Sequence, residues 1–464
     1  MVSTATIRGD DCLDLRPLGH LERYSTTRSY LGIYHNVCVT ATCRRRTQED
    51  LKSVLYRALT NLVQRHPVLS AAAINVETTR PSFVKLPHVN LDEVVMMSKR
   101  AEDFNLDAIL EAQHNQPFTH AIDALTPLWR IYAAEDVTDT LRFTLVLCFH
   151  HAIADTKSAL VLLEDLEFSL SHPERDFSAT GAHPIVCFLS DRPLSPTLES
   201  FNGLPLSEAF CACQRNSVEP SAETWSGHTQ FLPVKTCFAS NQLSKYQSDE
   251  LLRRARAEGV SVTAALMAMM AHSLFHILPD SYSQINGDCA VSIRRFLPPS
   301  VGDRDVGCWV GGFSETYSRP SPVSSASIWD DARRTKATID GVIRSRGTEL
   351  GVRFLHEVGD MIEWFKAKLG KRRAAAWELS NVGTLAARHD MHHMDYRIDS
   401  LLFSQSASAC SGAIKVSVAT GRDGRMGIGY SWQEGVVSEH LVKSVMDEMR
   451  HLIECLVENG PQVA

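Results

Sequence analysis

One short stretch of the sequence places an imidazole and a carboxylate four residues apart. Residues 149–155 read Phe-His-His-Ala-Ile-Ala-Asp, so His151 precedes Asp155 by four positions. A neutral imidazole can take a proton from an alcohol or an amine while that group attacks an acyl carbon, which is general-base catalysis near neutral pH. The stretch therefore predicts a catalytic centre in which His151 is the base.

The segments on either side of this stretch indicate how it is held. Residues 141–149, LRFTLVLCF, are apolar on both alternating faces, which is typical of a strand covered on both sides. After Asp155, apolar residues at 159, 160, 162, 163 and 166 follow the spacing of an amphipathic helix that Asp155 can cap. His151 is thus predicted to lie in a strand-to-helix connection that a substrate can reach.

A purely structural role for this histidine pair is the alternative. A buried histidine that only satisfies a backbone carbonyl needs neither a second histidine nor a following Asp at a strand-to-helix junction. The combination therefore favours the catalytic interpretation.

The other histidines and the cysteines do not form a metal-binding pattern. His272 and His276 lie four residues apart on an apolar segment but lack the Glu of an HExxH motif. His389, His392 and His393 lie in a polar stretch without ligand spacing. The twelve cysteines form no CxxC pair. We therefore expect no metal, and we interpret the cysteines as reduced thiols of a cytosolic protein.

Composition and length limit the protein class. The 464 residues are 44% hydrophobic and 22% charged, as in a globular protein of two domains. The net charge of -7 excludes a broad basic surface, so nucleic acid is not expected as a partner. No run of 18 apolar residues and no apolar signal segment occurs, so we expect no membrane association. The predicted organisation is an N-terminal lobe (1–190), a linker (191–233) rich in Pro, Ser, Asn and Gly, and a C-terminal lobe (234–464).

Several motifs together resemble one known group of enzymes. HHAIAD at residues 150–155 resembles the HHxxxD motif of the superfamily that includes chloramphenicol acetyltransferase, the plant BAHD acyltransferases and the condensation domains of peptide synthetases. Residues 15–39 resemble the opening segment of fungal alcohol acetyltransferases, and residues 59–72 are similar to the first helix and following turn of the superfamily. The chain is identified as a member of that family by further similar segments in the expected order, at 127–132, 291–298, 306–313, 378–383, 403–407 and 430–437.

The resemblance implies both a fold and an activity. The expected fold is α/β, with two chloramphenicol-acetyltransferase-like lobes. Each lobe is a mixed β-sheet with packed helices, and an active-site tunnel lies at the lobe interface. The implied activity is transfer of an acyl group, in the first place acetyl, from acyl-CoA to a hydroxyl of a small-molecule alcohol of secondary metabolism. A monomer is expected. No P-loop or GxGxxG motif occurs, so the sequence does not locate the CoA contacts.

The resemblance also assigns roles to individual residues. His151 corresponds to the general base, while His150 and Asp155 correspond to the residues that shape the loop. Arg294 matches an arginine that pairs with the motif's Asp in related enzymes, and we expect a bidentate Asp155–Arg294 pair.

Acyl transfer further requires donors for the oxyanion of the tetrahedral intermediate. By position the candidates are Ser380 and Asn381, or Ser404 and Gln405, and the sequence does not choose between them. No GxSxG motif and no Cys–His dyad is indicated, so direct attack without a covalent acyl-enzyme is expected.

Three alternatives remain open at this point. In the first alternative, the acyl donor is an acyl carrier protein instead of CoA, as in condensation domains. The net negative charge of this chain disfavours it, because carrier proteins are usually acidic too. The same tunnel and His151 promote a cyclisation rather than acyl transfer. The third alternative is a non-catalytic binding module, which has no need of a base.

Overall fold

Sixteen strands and twelve α-helices make up the part of the chain that is described in the computed structural model. That part comprises residues 7–101, 104–121, 123–172, 183–188, 192–201, 206–215, 219–319, 325–348, 350–386 and 394–458. The strands are β1 (Leu13–Pro17), β2 (Val37–Arg45), β3 (Ala71–Ile74), β4 (Ser82–Lys85), β5 (His88–Asn90), β6 (Val95–Arg100), β7 (Trp129–Asp136), β8 (Arg142–Phe149), β9 (Ile185–Cys187), β10 (Thr236–Gln242), β11 (Gln284–Ser292), β12 (Val310–Ser318), β13 (Trp377–Thr384), β14 (Tyr396–Gln405), β15 (Ile414–Thr420) and β16 (Met426–Gln433). The helices are α1 (His20–Tyr30), α2 (Leu51–Arg65), α3 (Leu91–Val94), α4 (Leu106–His114), α5 (Thr156–Ser171), α6 (Glu208–Arg215), α7 (Lys245–Ala257), α8 (Val262–Ile277), α9 (Ser325–Arg344), α10 (Gly351–Phe354), α11 (Met361–Lys366) and α12 (Glu439–Glu458).

A five-stranded sheet in the order β14-β2-β8-β7-β6 carries the HHxxxD stretch. Its middle strand, β8, is buried along nearly its whole length, as its uniformly apolar sequence predicts. Helix α5 packs against β2 and β14, and α2 packs against α5. The predicted strand at 141–149 and the helix that follows Asp155 are therefore confirmed.

The second large sheet is a six-stranded mixed sheet in the order β10-β16-β15-β13-β11-β12. The neighbours β11, β13 and β15 run parallel, and the other pairs are antiparallel. Helix α8 is buried from Ala264 to Phe275, as its continuous apolar sequence predicts. Its neighbour α7 begins after Ser244 in a capping box, and Gly259 turns the chain after it at a φ of 69°.

Strand β14 links the two halves of the chain. It comes from the second half, yet it pairs antiparallel with β2 at the edge of the five-stranded sheet. The sheet that carries His151 therefore contains a strand from the region predicted as the C-terminal lobe. Residues 208–215 of the predicted linker form helix α6. The boundaries at 190 and 234 stay a prediction.

Helix α2 begins at Leu51, because the Asp50 carboxylate accepts hydrogen bonds from Ser53 N at 2.9 Å and Ser53 Oγ at 2.6 Å and so caps its first turn. The cluster His389, His392 and His393 lies outside the described residues.

Among the described residues, no single helix is both long enough and apolar enough to span a membrane. Helices α7 and α8 have that length and hydropathy only when they are taken together, and the pair is bent by 100°.

Candidate active site

The connection between β8 and α5 holds His151 in a tight turn. His150 N donates to Leu128 O at 2.9 Å, and Ile153 N donates to His150 O at 3.1 Å. The His150 ring is almost fully buried, and its Nδ1 accepts a hydrogen bond from Ala152 N at 3.0 Å. Burial lowers the pKa of His150 well below its usual value, so the ring is neutral. The turn is thus held by hydrogen bonds of its own backbone and of the His150 ring.

The Asp155 carboxylate collects donors from both halves of the chain. Oδ1 accepts from Ser158 N at 2.7 Å, from Ser158 Oγ at 2.9 Å and from Arg294 Nη2 at 3.1 Å. Oδ2 accepts from Trp309 N at 3.1 Å. The carboxylate thus caps α5 and ties it to the segment before β12.

Arg294 contacts Asp155 through one nitrogen only, so the expectation of a bidentate pair was wrong. The reason is that Nη2 is shared between Asp155 Oδ1 and Ser158 Oγ and that Nη1 is directed to a backbone carbonyl, while Trp309 N donates to the second carboxylate oxygen. The other terminal nitrogen of Arg294 donates to Asp305 O at 2.8 Å, and the guanidinium lies 4.6 Å from the centroid of the Trp309 ring. Arg294 is therefore held by a carbonyl and an aromatic face as well as by the carboxylate.

The His151 ring presents one nitrogen without a protein partner. The backbone carbonyl of His151 itself favours a proton on the nearer ring nitrogen, so we assign the proton to Nδ1. The Cys308 Sγ atom lies 3.6 Å from the same nitrogen. Within the described part of the chain, Nε2 makes no hydrogen bond and keeps its lone pair. Burial and the nearby Arg28 charge lower the pKa of His151 to about 4, so the ring is neutral at pH 7.

Cys308 is a neighbour of His151 that the sequence did not reveal. Burial raises the pKa of its thiol well above the usual value, so the sulfur stays protonated. A protonated, buried thiol is a poor nucleophile. The contact therefore orients the imidazole and does not indicate a covalent acyl-enzyme.

A cavity of about 370 Å³ opens beside His151. Its walls come from α1, from the turn with His151 and Asp155, from β11, β12 and β13, and from the region of α10 and α11. A volume of this size suits a small ligand or the reactive end of a larger one. The cavity lies between the six-stranded sheet and the elements of the first half of the chain.

One member of the predicted pair on β13 lines this cavity. Ser380 faces it, and no hydrogen bond from its hydroxyl occurs within the described residues. Asn381 does not line it, because neighbouring residues of a strand point to opposite faces. The Asn381 amide instead donates to Thr263 Oγ1 at 3.2 Å and accepts from Gly383 N at 2.9 Å.

The pair on β14 divides in the same way. Gln405 lines the cavity, with its Oε1 at 3.4 Å from Tyr34 OH and its Nε2 at 3.2 Å from Ser417 Oγ. Ser404 is fully buried elsewhere, with its Oγ 2.9 Å from His114 Nε2. The structure thus brings Ser380 and Gln405 to the cavity of His151, and it does not bring Asn381 and Ser404 there.

The sequence analysis also did not identify a row of charged residues on the six-stranded sheet. Asp288, Glu378 and Lys415 are register partners on β11, β13 and β15. Lys415 Nζ donates to Glu378 Oε2 at 2.6 Å, and Ser314 Oγ donates to Asp288 Oδ1 at 2.6 Å. Burial raises the pKa of Asp288 to about 6. Only the strand order brings these residues together, so no local sequence signal marks them.

Comparisons with known proteins agree on the family and the fold. A family model described as alcohol acetyltransferase matches residues 17–200 and 214–454. The chain is 30% identical to the probable alcohol acetyltransferase crmB of Aspergillus fumigatus, over 92% of this chain and 96% of that protein. Among solved structures it is similar to the TRI3 trichothecene 15-O-acetyltransferase of Fusarium sporotrichioides, with a TM-score of 0.74 and 13% identity over 95% of this chain and 94% of that one. The condensation domain of the monacolin K polyketide synthase MokA gives a TM-score of 0.63 and 11% identity over 97% and 98% of the two chains. The fold is therefore the two-lobed α/β fold of these acetyltransferases and condensation domains.

Proposed function

Because the chain belongs to the alcohol acetyltransferase family and is thus an acyltransferase, we propose that it moves an acetyl group from acetyl-CoA to a hydroxyl of a small-molecule acceptor of secondary metabolism. The general base in this proposal is His151. The observation that carries it is the neutral imidazole at the cavity, with the proton assigned to Nδ1 and with Nε2 free of protein partners among the described residues.

The proposed reaction is a direct displacement at the thioester. His151 Nε2 takes the proton of the acceptor hydroxyl while the oxygen attacks the thioester carbonyl carbon, and a new C–O bond forms. The tetrahedral intermediate then collapses, the C–S bond breaks, and the imidazolium returns the proton to the departing CoA thiolate. The products are the acetate ester and CoA, and His151 is neutral again.

The oxyanion of the intermediate needs a donor in the cavity. We assign this role to Ser380, because its hydroxyl lines the cavity and makes no hydrogen bond within the described residues. Both polar atoms of the Gln405 amide already contact protein groups. A donor that is free before substrate binds is the better candidate for charge that develops in the transition state.

Asp155 and Arg294 act through the loop and not on the substrate in this proposal. Asp155 fixes the first turn of α5, and Arg294 ties that turn to Asp305 and Trp309 in the segment before β12. They are positioning residues for the base. In line with the sequence-based expectation, we further propose a cytosolic monomer.

The test is a product assay with two forms of the same donor. Purified protein is incubated with acetyl-CoA and a panel of alcohols, and both thiol release and the acetate ester are measured; a reaction without alcohol corrects for thioester hydrolysis. The acetyl group is then presented on a phosphopantetheinyl carrier protein. The proposal predicts saturable ester formation with acetyl-CoA. Saturation only with the carrier would assign the donor to a carrier protein, and inertness of both would favour the cyclisation alternative.

A further inference from the structure

Helix α1 presents one continuous face to the cavity. Leu21, Tyr24, Ser25 and Arg28 all line it, and their spacing of three, four and seven residues places them on one side of a helix. Two of these four side chains are polar. A helix face that borders a cavity with polar groups is positioned to contact whatever fills that cavity.

The two polar side chains on this face are buried without hydrogen-bond partners. Arg28 is 7% exposed, and its Nε is buried with no partner; the described residues provide none for its other nitrogens either. Its guanidinium lies between two rings, 4.2 Å from the centroid of Tyr24 and 4.4 Å from that of Tyr34. Ser25 is 2% exposed, and its Oγ also has no partner. Aromatic faces offset only part of the cost of burying a cation.

Three carboxylates line the cavity, and each already has a partner. Asp155 accepts from Arg294, Asp288 accepts from Ser314 Oγ, and Glu378 accepts from Lys415 at 2.6 Å. Glu22 accepts from Arg16 at 2.7 Å and 2.8 Å. Arg28 influences Glu378 electrostatically but makes no hydrogen bond to it. The donors of Arg28 are thus unfilled, whereas each neighbouring acid has its own partner.

A second cation lies on the same wall. Lys368 lines the cavity, and its Nζ lies 3.5 Å from the centroid of the Trp364 ring. The Trp364 and Tyr24 rings are 6.2 Å apart, so the two cations share one aromatic wall. The described residues provide no carboxylate partner for Lys368 either. Arg28 and Lys368 thus place two cations on this wall, while the carboxylates that line the cavity belong to the turn with His151 and to the six-stranded sheet.

We propose that Arg28 and Ser25 form a subsite for a carboxylate of the acceptor, so that the enzyme acetylates a hydroxy acid. This inference rests on the proposed function, because it describes the alcohol that His151 would deprotonate. A guanidinium matches the two oxygens of a carboxylate, and the Ser25 hydroxyl supplies a further donor. Lys368 adds attraction at longer range.

The position of Arg28 favours the acceptor, and not CoA, as the source of the anion. The Tyr34 ring that packs on Arg28 also lies 6.3 Å from the His151 ring, centroid to centroid. The subsite is therefore close to the reacting atoms. The phosphates of CoA are separated from its thioester by the long pantetheine arm, so they lie far from the base when the thioester is in place.

The first test measures binding of an anionic probe. Isothermal titration compares 4-bromobenzoate with the neutral 4-bromobenzyl alcohol, and the anomalous bromine signal locates the probe in crystals. We expect the carboxylate to bind on Arg28, and Arg28→Met to weaken its binding about 10- to 100-fold without affecting the alcohol. Arg23→Met, on the same helix but not lining the cavity, serves as the matched control. Absence of binding, equal binding by both probes, or a carboxylate bound away from Arg28 would each overturn the proposal.

The second test separates this inference from the proposed function. Initial rates with acetyl-CoA are compared for hydroxy acids such as mandelate and for their methyl esters. We expect Arg28→Met to raise KM for the acids and to leave KM for the esters unchanged. Acetylation that ignores the carboxylate, or a loss of kcat shared by acids and esters, would refute the subsite but retain the acyltransferase. Binding of 4-bromobenzoate on Arg28 without acetylation of any alcohol would retain the subsite but refute the proposed function.

Discussion

The replacement Asp155→Ala tests how the loop that carries His151 is held. The substitution removes a helix N-cap, which costs about 1 kcal/mol. It also leaves Trp309 N without its acceptor and Arg294 without its carboxylate. Breaking a buried pair from one side costs about 3–5 kcal/mol. Arg294 keeps its contacts with Asp305 O, Ser158 Oγ and the Trp309 ring. We therefore expect Asp155→Ala to lower the free energy of unfolding by about 3 kcal/mol, near the lower end of that range.

The opposite replacement should cost less. In Arg294→Met, Asp155 keeps three donors, namely Ser158 N, Ser158 Oγ and Trp309 N, so we expect a loss of about 1–2 kcal/mol. The double variant should be less destabilised than the two single losses added together, because the residues interact directly.

Thermal unfolding followed by circular dichroism ranks these variants. Lys443→Ala is the control, because its pair with Glu439 is exposed and should contribute about 0–1 kcal/mol. We expect the melting temperature to fall most for the double variant, then for Asp155→Ala, then for Arg294→Met, and hardly at all for the control. The reasoning is refuted if Asp155→Ala melts with the wild type, or if Arg294→Met is the more damaging single change.

Two further predictions concern pH. With a neutral alcohol as acceptor, wild-type kcat/KM should stay flat down to about pH 5, because the pKa of His151 is about 4. Arg28→Met should move the acid limb to higher pH, since the Arg28 charge lowers that pKa; an unchanged limb would contradict the stated cause. Stability should be full above about pH 6.5 and should fall as the pH drops toward 4, because burial lowers the pKa of His114 to about 3, of His120 to about 4 and of His150 well below its usual value. Below about pH 6.5 the unfolded chain then binds more protons than the native protein. Melting temperatures that increase as the pH is lowered from 6.5 to 4 would contradict the lowered pKa values of these histidines.

The parts of the fold that the sequence predicted are those with local causes. A run of apolar residues marks β8, and Asp155 followed by helical periodicity marks the start of α5. Each signal lies within a few residues of the feature that it specifies, and each held in the structure.

The remaining site residues depend on long-range pairing. Asp288, Glu378 and Lys415 are neighbours only because β11, β13 and β15 run side by side. The alternation of a strand implies that only one of Ser380 and Asn381 faces the cavity, but it does not say which. That choice is set by the helix α8, which covers the opposite face and holds Asn381 through Thr263.

Strand β14 shows that the order of segments along the sequence does not predict which strands pair. Its partner β2 lies more than 350 positions earlier in the chain, as in the register pair Tyr396 and Arg45. Cys308 reaches His151 by the same kind of long-range folding. Such contacts follow from the tertiary arrangement and leave no mark in the local sequence.

The most direct test of the central claim is the single-turnover rate of acetyl transfer by His151→Ala. A general base contributes about 10²–10⁴-fold, so the account predicts a loss of that size with an unchanged melting curve. His276→Ala is the matched control, because that side chain is exposed on α8, outside the cavity. A correctly folded His151→Ala enzyme that transfers acetyl groups at close to the wild-type rate would contradict the assignment of His151 as the base.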